Sequence, residues 1–254
     1  MIHRDALTTY LEEALSLSRF ADYAPNGLQV EGKPEVQRLA VAVTASQAVL
    51  NEAIAWGADA LLVHHGWFWK GESPILRGPR KRRIATCLSG DLNLFAYHLP
   101  LDVHRTWGNN AGFGDLIGVE DIQMHDWKGV PDLLWQATLR EAVTLEAFAA
   151  RLHQDLDHVP QVITASTGSP TVRSLAWCTG AAQDALEDAA ALGVDAFLSG
   201  EISERTVHLA QELGVHYLAC GHHASERFGV ERLGAHLAQQ FDLDLRFFDQ
   251  VVPV

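Results

Sequence analysis

The feature of this sequence that most constrains its fold is an internal repeat. When residues 40–66 are aligned without a gap to the segment 136 residues later, ten of the 27 positions are identical. The identical pairs include Gln47/Gln183, Leu50/Leu186, Gly57/Gly193, Asp59/Asp195, Ala60/Ala196 and Leu62/Leu198. Because the match continues through a whole supersecondary unit, we interpret the chain as the duplication of one such unit.

Each copy has the pattern of a βαβ unit. In the first copy, the continuous apolar runs over residues 39–44 and 60–63 have the length of buried strands. The segment 47–56 between them has the pattern of a helix, and Gly57 ends it. A βαβ unit predicts parallel strands joined by a right-handed crossover. The predicted fold class is therefore α/β.

The other predicted elements place the two repeats along the chain. We expect helices over residues 5–18, 81–89 and 144–157, a strand over 93–97, and a loop over the glycine-rich segment 108–118. The first helix and the helix over 144–157 hold corresponding places ahead of the two βαβ units. We therefore assign residues 1–123 to the first repeat and residues 124–254 to the second.

Composition narrows the class of protein. Of the 254 residues, 32 are acidic and 19 basic, and the formal charge of −13 disfavours the phosphate-neutralising surface of a non-specific DNA binder. The three cysteines are far apart and form no CxxC motif, which argues against a disulfide framework and a thiolate zinc site. Because the chain has no signal peptide and no run of about 18 apolar residues, we expect a cytoplasmic protein without a membrane segment.

Polar residues follow the predicted strands at points where ligands usually bind. His64 and His65 end the second strand of the first copy, and Glu201 holds the place of His65 in the second copy. Ligand sites in open α/β sheets lie at the carboxyl ends of strands. Adjacent side chains of a regular strand point to opposite faces, so the two histidines favour two metal ions, or one ion bound by a kinked backbone.

A further strand in each copy ends in a histidine that is followed four residues later by a carboxylate. These pairs are His98/Asp102 and His222/Glu226. Such a pair at the start of a helix places imidazole and carboxylate on one face. Pro100 excludes a regular helix interior, so we expect the first pair in a loop or a first helical turn. We interpret the two pairs as corresponding half-sites.

Together the two copies offer up to four imidazoles and two carboxylates, without a thiolate. This donor set suits Zn, Fe, Mn, Co or Ni better than Ca or Mg, and two carboxylates can bridge a pair of ions about 3.5–4 Å apart. The sequence therefore predicts a dinuclear hydrolytic centre. It leaves open whether the centre hydrolyses a phosphoester, an amide or a cyclic amidine.

Five motifs resemble, in the same order, those of the GTP cyclohydrolase I type 2 homologue family, also called Nif-three-like proteins. They are VHHG at 63–66, YHLPLD at 97–102, GNN at 108–110, SGE at 199–201 and GHHASE at 221–226. PNGLQV at 25–30 is similar too, so the resemblance spans nearly the whole chain. It implies two intertwined, duplicated α/β/α three-layer units with elements exchanged and the metal site between them, assembled as a toroidal homohexamer. Longer relatives contain an inserted domain for which this chain is too short.

The resemblance also implies roles for individual residues. The metal ligands it implies for two divalent ions per subunit, with the two carboxylates as bridges, are His64, His65, Asp102, His222 and Glu226. His98 is expected beside the site, where it orients a ligand or transfers a proton. Glu201 is a second catalytic candidate, as a general base or hydrogen-bond acceptor, and the alternative for it is a strand-end cap.

Two further clusters have a functional and a structural interpretation. Trp67, Phe68 and Trp69 follow the histidine pair and either stack on a purine base or pack in the core or between subunits. The basic run at 77–83 either receives a triphosphate or nucleic acid, or is the solvated start of a helix.

Two functions of different classes fit these observations. The first is a metal-dependent hydrolase of a purine nucleotide such as GTP, which the family name suggests. The second is a non-catalytic ring metalloprotein that acts as a scaffold in metal handling or nucleic-acid repair. A metal-dependent phosphoesterase is a third alternative between them.

Overall fold

A computed structural model describes residues 1–254 throughout. The helices are α1 (Arg4–Ala14), α2 (Gln47–Trp56), α3 (Gly78–Ser89), α4 (Leu99–Val103), α5 (Asn109–Ile117), α6 (Leu145–Leu156), α7 (Leu186–Ala191), α8 (Glu204–Leu213) and α9 (His222–Phe241), with short 3-10 helices at Leu17–Arg19 and Gln183–Ala185. The strands are β1 (Ile2–His3), β2 (Gly27–Val30), β3 (Glu35–Val36), β4 (Arg38–Thr44), β5 (Ala60–His65), β6 (Asn93–Ala96), β7 (Val119–Trp127), β8 (Val130–Thr144), β9 (Gln161–Ile163), β10 (Thr171–Trp177), β11 (Ala196–Ser199), β12 (His216–Ala219) and β13 (Asp244–Phe247). None of the helices combines the length and the apolar character needed to cross a bilayer.

The chain divides into two compact units. The first comprises Met1–Gly108 and Arg227–Gln250, and the second comprises Asn109–Glu226 and Val251–Val254. The sequence predicts a boundary between residues 123 and 124, whereas the division falls after Gly108. The reason is strand pairing: β7 pairs with β8, which carries the preceding residues into the second unit. Likewise β13 pairs with β4, which brings the C-terminal segment into the first unit.

The first unit is built on a sheet that helices cover on both faces. Its strand order is β13-β4-β5-β6-β2, with only β2 antiparallel to its neighbour, and β1 pairs with β3 in a small separate sheet. Ala40 and Ala42 of β4 pack in one core cluster with residues of α2 and α3. Leu39 and Val41 pack on the other face with residues of α1 and α9. Burial on both faces explains why β4 is a continuous apolar run.

The second unit is built on a six-stranded sheet. Its strand order is β7-β8-β10-β11-β12-β9, in which β10, β11 and β12 are parallel and the outer pairs are antiparallel. Helices α6, α7 and α8 contact these strands. The chain is thus an α/β protein in which each unit contains a parallel three-stranded core.

The predicted duplication is visible in the strand register. In the first unit Leu39 lies opposite Ala60, and in the second unit Leu175 lies opposite Ala196, so both positions differ by the same 136 residues. In each unit a third parallel strand follows, and an antiparallel strand, β2 or β9, closes the same side. Because hydrogen-bond register reports geometry independently of residue identity, it confirms the repeat.

Each copy has an aspartate at the same place in a turn, and its hydrogen bonds explain part of the sequence match between the copies. Asp59 Oδ2 accepts hydrogen bonds from the backbone N–H groups of Gln37 and Arg38, at 3.0 and 2.9 Å. Asp195 Oδ2 accepts the same two bonds from residues 173 and 174, at 3.0 and 2.9 Å. Each aspartate therefore fixes the entry of the preceding strand in its own unit.

Replacing Asp59 or Asp195 with alanine is expected to lower the free energy of unfolding by about 2 kcal/mol, because charged hydrogen bonds to backbone donors are lost. Burial by itself raises the pKa of each carboxyl. At Asp59 the Lys33 ammonium and the backbone donors outweigh this effect, and at Asp195 the backbone donors do so. The pKa of each carboxyl therefore lies below its ordinary value. The stabilisation is therefore complete above the unfolded pKa of about 3.9 and is lost as the pH falls through the lower folded value.

Chemical denaturation at neutral pH and at about pH 3 measures this difference. The matched control is Glu52→Ala, an exposed carboxylate of α2 that is expected to change stability by less than about 0.5 kcal/mol. A loss that is equally large at both pH values would contradict the assignment.

The prediction of a loop over residues 108–118 is wrong, because most of this segment forms α5. Its glycines permit close packing: a Cβ at Gly114 would lie 3.0 Å from Cζ2 of the buried Trp177. Asn110 also fixes α5 to its neighbours, since its side-chain amide accepts a hydrogen bond from the Thr179 N–H at 3.1 Å and donates one to the Leu133 carbonyl at 3.1 Å. Tertiary contacts within the second unit thus override the low helix propensity of glycine.

Candidate functional site

His64 is a fully buried histidine near the carboxyl end of β5, the central strand of the first sheet. Its Nδ1 lies 2.9 Å from the backbone carbonyl oxygen of Tyr97. Because a carbonyl can only accept, Nδ1 carries the proton and Nε2 keeps its lone pair. Nε2 lies 3.4 Å from Oδ1 of Asp102, which is also buried. The ring is therefore held with its lone pair facing a carboxylate.

Asp102 reaches this position from the first turn of α4. The helix begins at Leu99, with His98 as its N-cap. Pro100 is its second residue, a position where the backbone N–H that proline lacks would have no partner within the helix. Of the two placements expected for this pair, a loop or a first helical turn, the structure has the helical turn.

The first unit also brings His65 and His98 close to His64. One ring nitrogen from each of the three histidines lies within 4.8 Å of the others. Nδ1 of His65 lies 3.1 Å from the hydroxyl of Thr44 on the neighbouring strand. The His64 ring centroid lies 4.6 Å from that of His65 and 5.1 Å from that of His98. The three histidines form one cluster that could hold a metal ion.

His98 is oriented by Asp22, a residue that sequence reasoning missed. Its Nδ1 lies 3.0 Å from Asp22 Oδ1, and the other carboxylate oxygen accepts from the Leu99 N–H and from the Asn26 amide. Burial raises the pKa of Asp22, but the hydrogen bonds and charge of His98, together with Asn26, outweigh it and lower this pKa to about 2. Asp22 is thus ionised and holds the imidazole by its Nδ1, so Nε2 is the nitrogen that can meet a ligand.

The second unit brings together His222, Glu226 and Glu201. His222 is the first residue of α9, and its Nε2 lies 3.0 Å from Oε2 of Glu226 one turn later, as the i,i+4 spacing predicts. Its Nδ1 lies 2.7 Å from Oε1 of Glu201. Burial opposes the charged ring, but the two carboxylates outweigh it and raise the pKa of His222 to about 9. Glu201 therefore acts here as the hydrogen-bond acceptor that orients this imidazole.

Gly180 leaves the space that the Glu226 carboxylate occupies. Its backbone has φ +70°, and a Cβ at this position would collide with Oε1 of Glu226, lie 2.9 Å from its Cδ, and lie 3.3 Å from His222 Nε2. The corresponding residue of the first copy is Thr44, whose hydroxyl contacts His65. The absence of a side chain at Gly180 thus creates a cradle for a carboxylate in the second copy.

The two His/carboxylate pairs are not positional equivalents, contrary to the sequence interpretation. Strand register places Asn93 opposite Ala60 and His216 opposite Ala196, so His98 corresponds to Gly221 and precedes its helix by one residue. Gly221 has φ +85°, which suits glycine. The equivalence of His65 and Glu201, by contrast, agrees with the register of β5 and β11.

The aromatic run divides between core and site. Trp67 is buried and donates from Nε1 to the Ala45 carbonyl at 3.1 Å, which is a packing role. Trp69 contacts the histidine cluster, with its ring centroid 5.1 Å from that of His98 and 6.0 Å from that of His65. Tyr23, which the sequence did not single out, packs against Trp69 at 5.6 Å. The basic run lies at the start of α3.

In each unit, taken by itself, the donor atoms fit a divalent metal of the predicted class. Metal–ligand distances of about 2.1 Å place neighbouring ligand atoms about 3.0 Å apart in octahedral and about 3.4 Å apart in tetrahedral coordination. The separations of 3.4 Å between His64 and Asp102 and 3.0 Å between His222 and Glu226 lie at these values. All donors are imidazole nitrogens or carboxylate oxygens, which suits borderline transition metals.

Comparisons with known proteins agree with the resemblance seen in the sequence. The family described as Duf34/NIF3 (NGG1p interacting factor 3) matches residues 2–252. A protein of Allochromatium vinosum named GTP cyclohydrolase 1 type 2 homolog is 50% identical over 246 residues, which cover 96% of this chain and 94% of the relative. A solved structure described as protein ybgI, of unknown function, superimposes over 100% of both chains with a TM-score of 0.95 and 43% identity.

A second solved structure, TTHA1606 from Thermus thermophilus, also covers 100% of both chains, with a TM-score of 0.88 and 34% identity. The matches extend over almost the full length of the chain in sequence and in fold. The chain belongs to the Duf34/NIF3 family.

Proposed function

We propose that this protein is a metal-dependent hydrolase of a purine nucleotide such as GTP. In this proposal two divalent ions per subunit would be held by His64, His65, Asp102, His222 and Glu226. The observation that carries the proposal is the buried His64 ring, which the Tyr97 carbonyl holds with its Nε2 lone pair toward Asp102. A buried imidazole fixed in this tautomer beside a carboxylate is the arrangement of a metal ligand.

When bound, a pair of divalent ions would supply an activated water nucleophile and electrostatic stabilisation of the developing negative charge. The protein's own residues orient the ligands: the Tyr97 carbonyl holds His64, and Glu201 holds His222. In this proposal His98, which Asp22 contacts at Nδ1, accepts or donates a proton at Nε2.

The choice of GTP as the first substrate rests on the names of the relatives, which carry the label GTP cyclohydrolase 1 type 2 homolog. Trp69 supports a purine, because its ring lies beside the histidine cluster. We also propose the toroidal homohexamer that the family resemblance implies, which sedimentation of the purified protein tests.

Protein reconstituted with Zn, Fe, Mn, Co or Ni is expected to open the imidazole ring of GTP and release formate. His98→Gln removes the proton-transferring group and is expected to reduce the rate by about a hundredfold. His153→Gln, an exposed histidine of α6, is the matched control and should leave the rate unchanged.

The same samples are assayed for phosphate release, which would identify the alternative phosphoesterase. Absence of formate with every one of these metals would reject the cyclohydrolase. If phosphate were also absent, the scaffold alternative would replace hydrolysis.

A further inference from the structure

A cavity of about 330 Å³ opens beside the histidine cluster of the first unit. Its lining includes Gly66, Trp69, Glu72, Arg77, Arg80 and Arg83. Gly66 directly follows His65 in the chain, and the Trp69 ring lies 6.0 Å from the His65 ring. The cavity and the histidine cluster therefore share a wall.

Three arginines reach this cavity because of their spacing at the start of α3. Arg77, Arg80 and Arg83 are three residues apart, which places them on one face of the helix. Arg77 is exposed and Arg80 and Arg83 are half-buried, whereas Lys81 and Arg82 are exposed and do not line the cavity. The basic run thus has two parts: the solvated helix start expected from the sequence, and a set of guanidinium groups directed to a cavity.

The positive charge of the cavity is only partly compensated by the protein. Arg80 Nη1 lies 3.7 Å from Glu72 Oε2 and donates to the Ser73 carbonyl, and its guanidinium lies over the Phe68 ring. Arg77 and Arg83 pair with no carboxylate. Three guanidinium groups and one carboxylate, that of Glu72, line the cavity. The lining therefore carries an excess of positive charge that an anionic ligand would neutralise.

We propose that this cavity binds the phosphate chain of a nucleoside polyphosphate, with Arg77, Arg80 and Arg83 as specificity-determining residues. Guanidinium groups match phosphate oxygens in charge and geometry. Trp69 lines the cavity and lies beside the histidine cluster. The assignment of the reacting end of the nucleotide rests on the proposed function, whereas binding of the phosphates stands on the cavity alone.

A free nucleotide fits these observations better than a nucleic acid. The cavity has the size of a small-molecule site, and the formal charge of −13 opposes a long polyanion along the remaining surface. Binding to an oligonucleotide is therefore an outcome that the experiment must separate.

The test is calorimetric titration of the protein with GTP, inorganic tripolyphosphate, guanosine and a short single-stranded oligonucleotide. It is repeated with EDTA, so that coordination of phosphate by metal does not account for binding. GTP and tripolyphosphate are expected to bind at least about tenfold more tightly than guanosine. Arg77→Ala and Arg83→Ala should each weaken tripolyphosphate binding about tenfold, and Arg83→Lys should recover part of the loss.

The matched control is Arg82→Ala, an exposed arginine of the same helix, which should change binding less than about twofold. Equal effects of Arg82→Ala and Arg83→Ala, or loss of oligonucleotide binding with tripolyphosphate binding unchanged, would overturn the proposal. If arginine-dependent binding occurs without formate release, the proposed function fails and this inference stands. If formate release continues with unchanged KM in the arginine variants, the inference fails and the proposed function stands.

Discussion

Gly180→Ala is expected to weaken metal binding at His222 and Glu226 at least about tenfold while the chain stays folded. The added Cβ would collide with the Glu226 carboxylate and crowd His222 Nε2 at 3.3 Å. Glu226 is buried and fixed to α9, so its carboxylate has to rotate away from the histidine. The left-handed backbone at φ +70° adds a strain of about 1 kcal/mol for any residue with a Cβ.

Gly193→Ala separates the two effects of this substitution. Gly193 has nearly the same backbone angle, φ +73°, but a Cβ there would meet no atom within 4 Å. Both variants should lose about 1 kcal/mol in chemical denaturation, and only Gly180→Ala should lose metal affinity, by at least about tenfold. Titration with a chelator competing for the metal measures this. Unchanged affinity in Gly180→Ala would show that the Glu226 carboxylate is not a ligand.

The sequence predicted the parallel core because the signals for it are local. The apolar run before Thr44 and the Gly-x-Asp turn at 57–59 recur 136 residues later with the same register, and α2 begins and ends where its pattern predicts. Strand-end polarity also led to His64 and Asp102, since β5 and α4 bring them to the same edge of one sheet.

Residues whose roles depend on distant contacts escaped prediction. Asp22 meets His98 across 76 positions of the chain, and no local pattern marks it. Helix α5 was missed because its glycines lower helix propensity, while the contact of Gly114 with Trp177 that favours the helix is tertiary. The equivalence of His98 and His222 failed for a similar reason, because identical spacing in sequence conceals a shift of one residue in register.

His64→Gln is expected to remove metal from the protein. His216→Gln is expected to destabilise the fold and to leave the metal content unchanged. Both histidines are buried, but their hydrogen bonds differ. Nε2 of His64 faces Asp102, whereas His216 uses both ring nitrogens within the fold, at 3.1 Å from the Ala165 N–H and 2.7 Å from the Ser169 carbonyl.

Thermal denaturation and metal analysis of the two variants separate these roles. His216→Gln should lose about 1–3 kcal/mol of stability and retain the wild-type metal content. His64→Gln should lose at least half of the metal, even at high metal concentration. Equal metal contents of the two variants would show that His64 has a structural role only.

The central claim is that this chain binds a pair of divalent metal ions through imidazole and carboxylate groups. Elemental analysis and X-ray absorption of the wild-type protein, purified from its own host, test it most directly. The predicted result is two ions of Zn, Fe, Mn, Co or Ni per chain, each surrounded by nitrogen and oxygen and by no sulfur. A folded protein that contains no stoichiometric metal, and that takes up none of these ions on reconstitution, would contradict it.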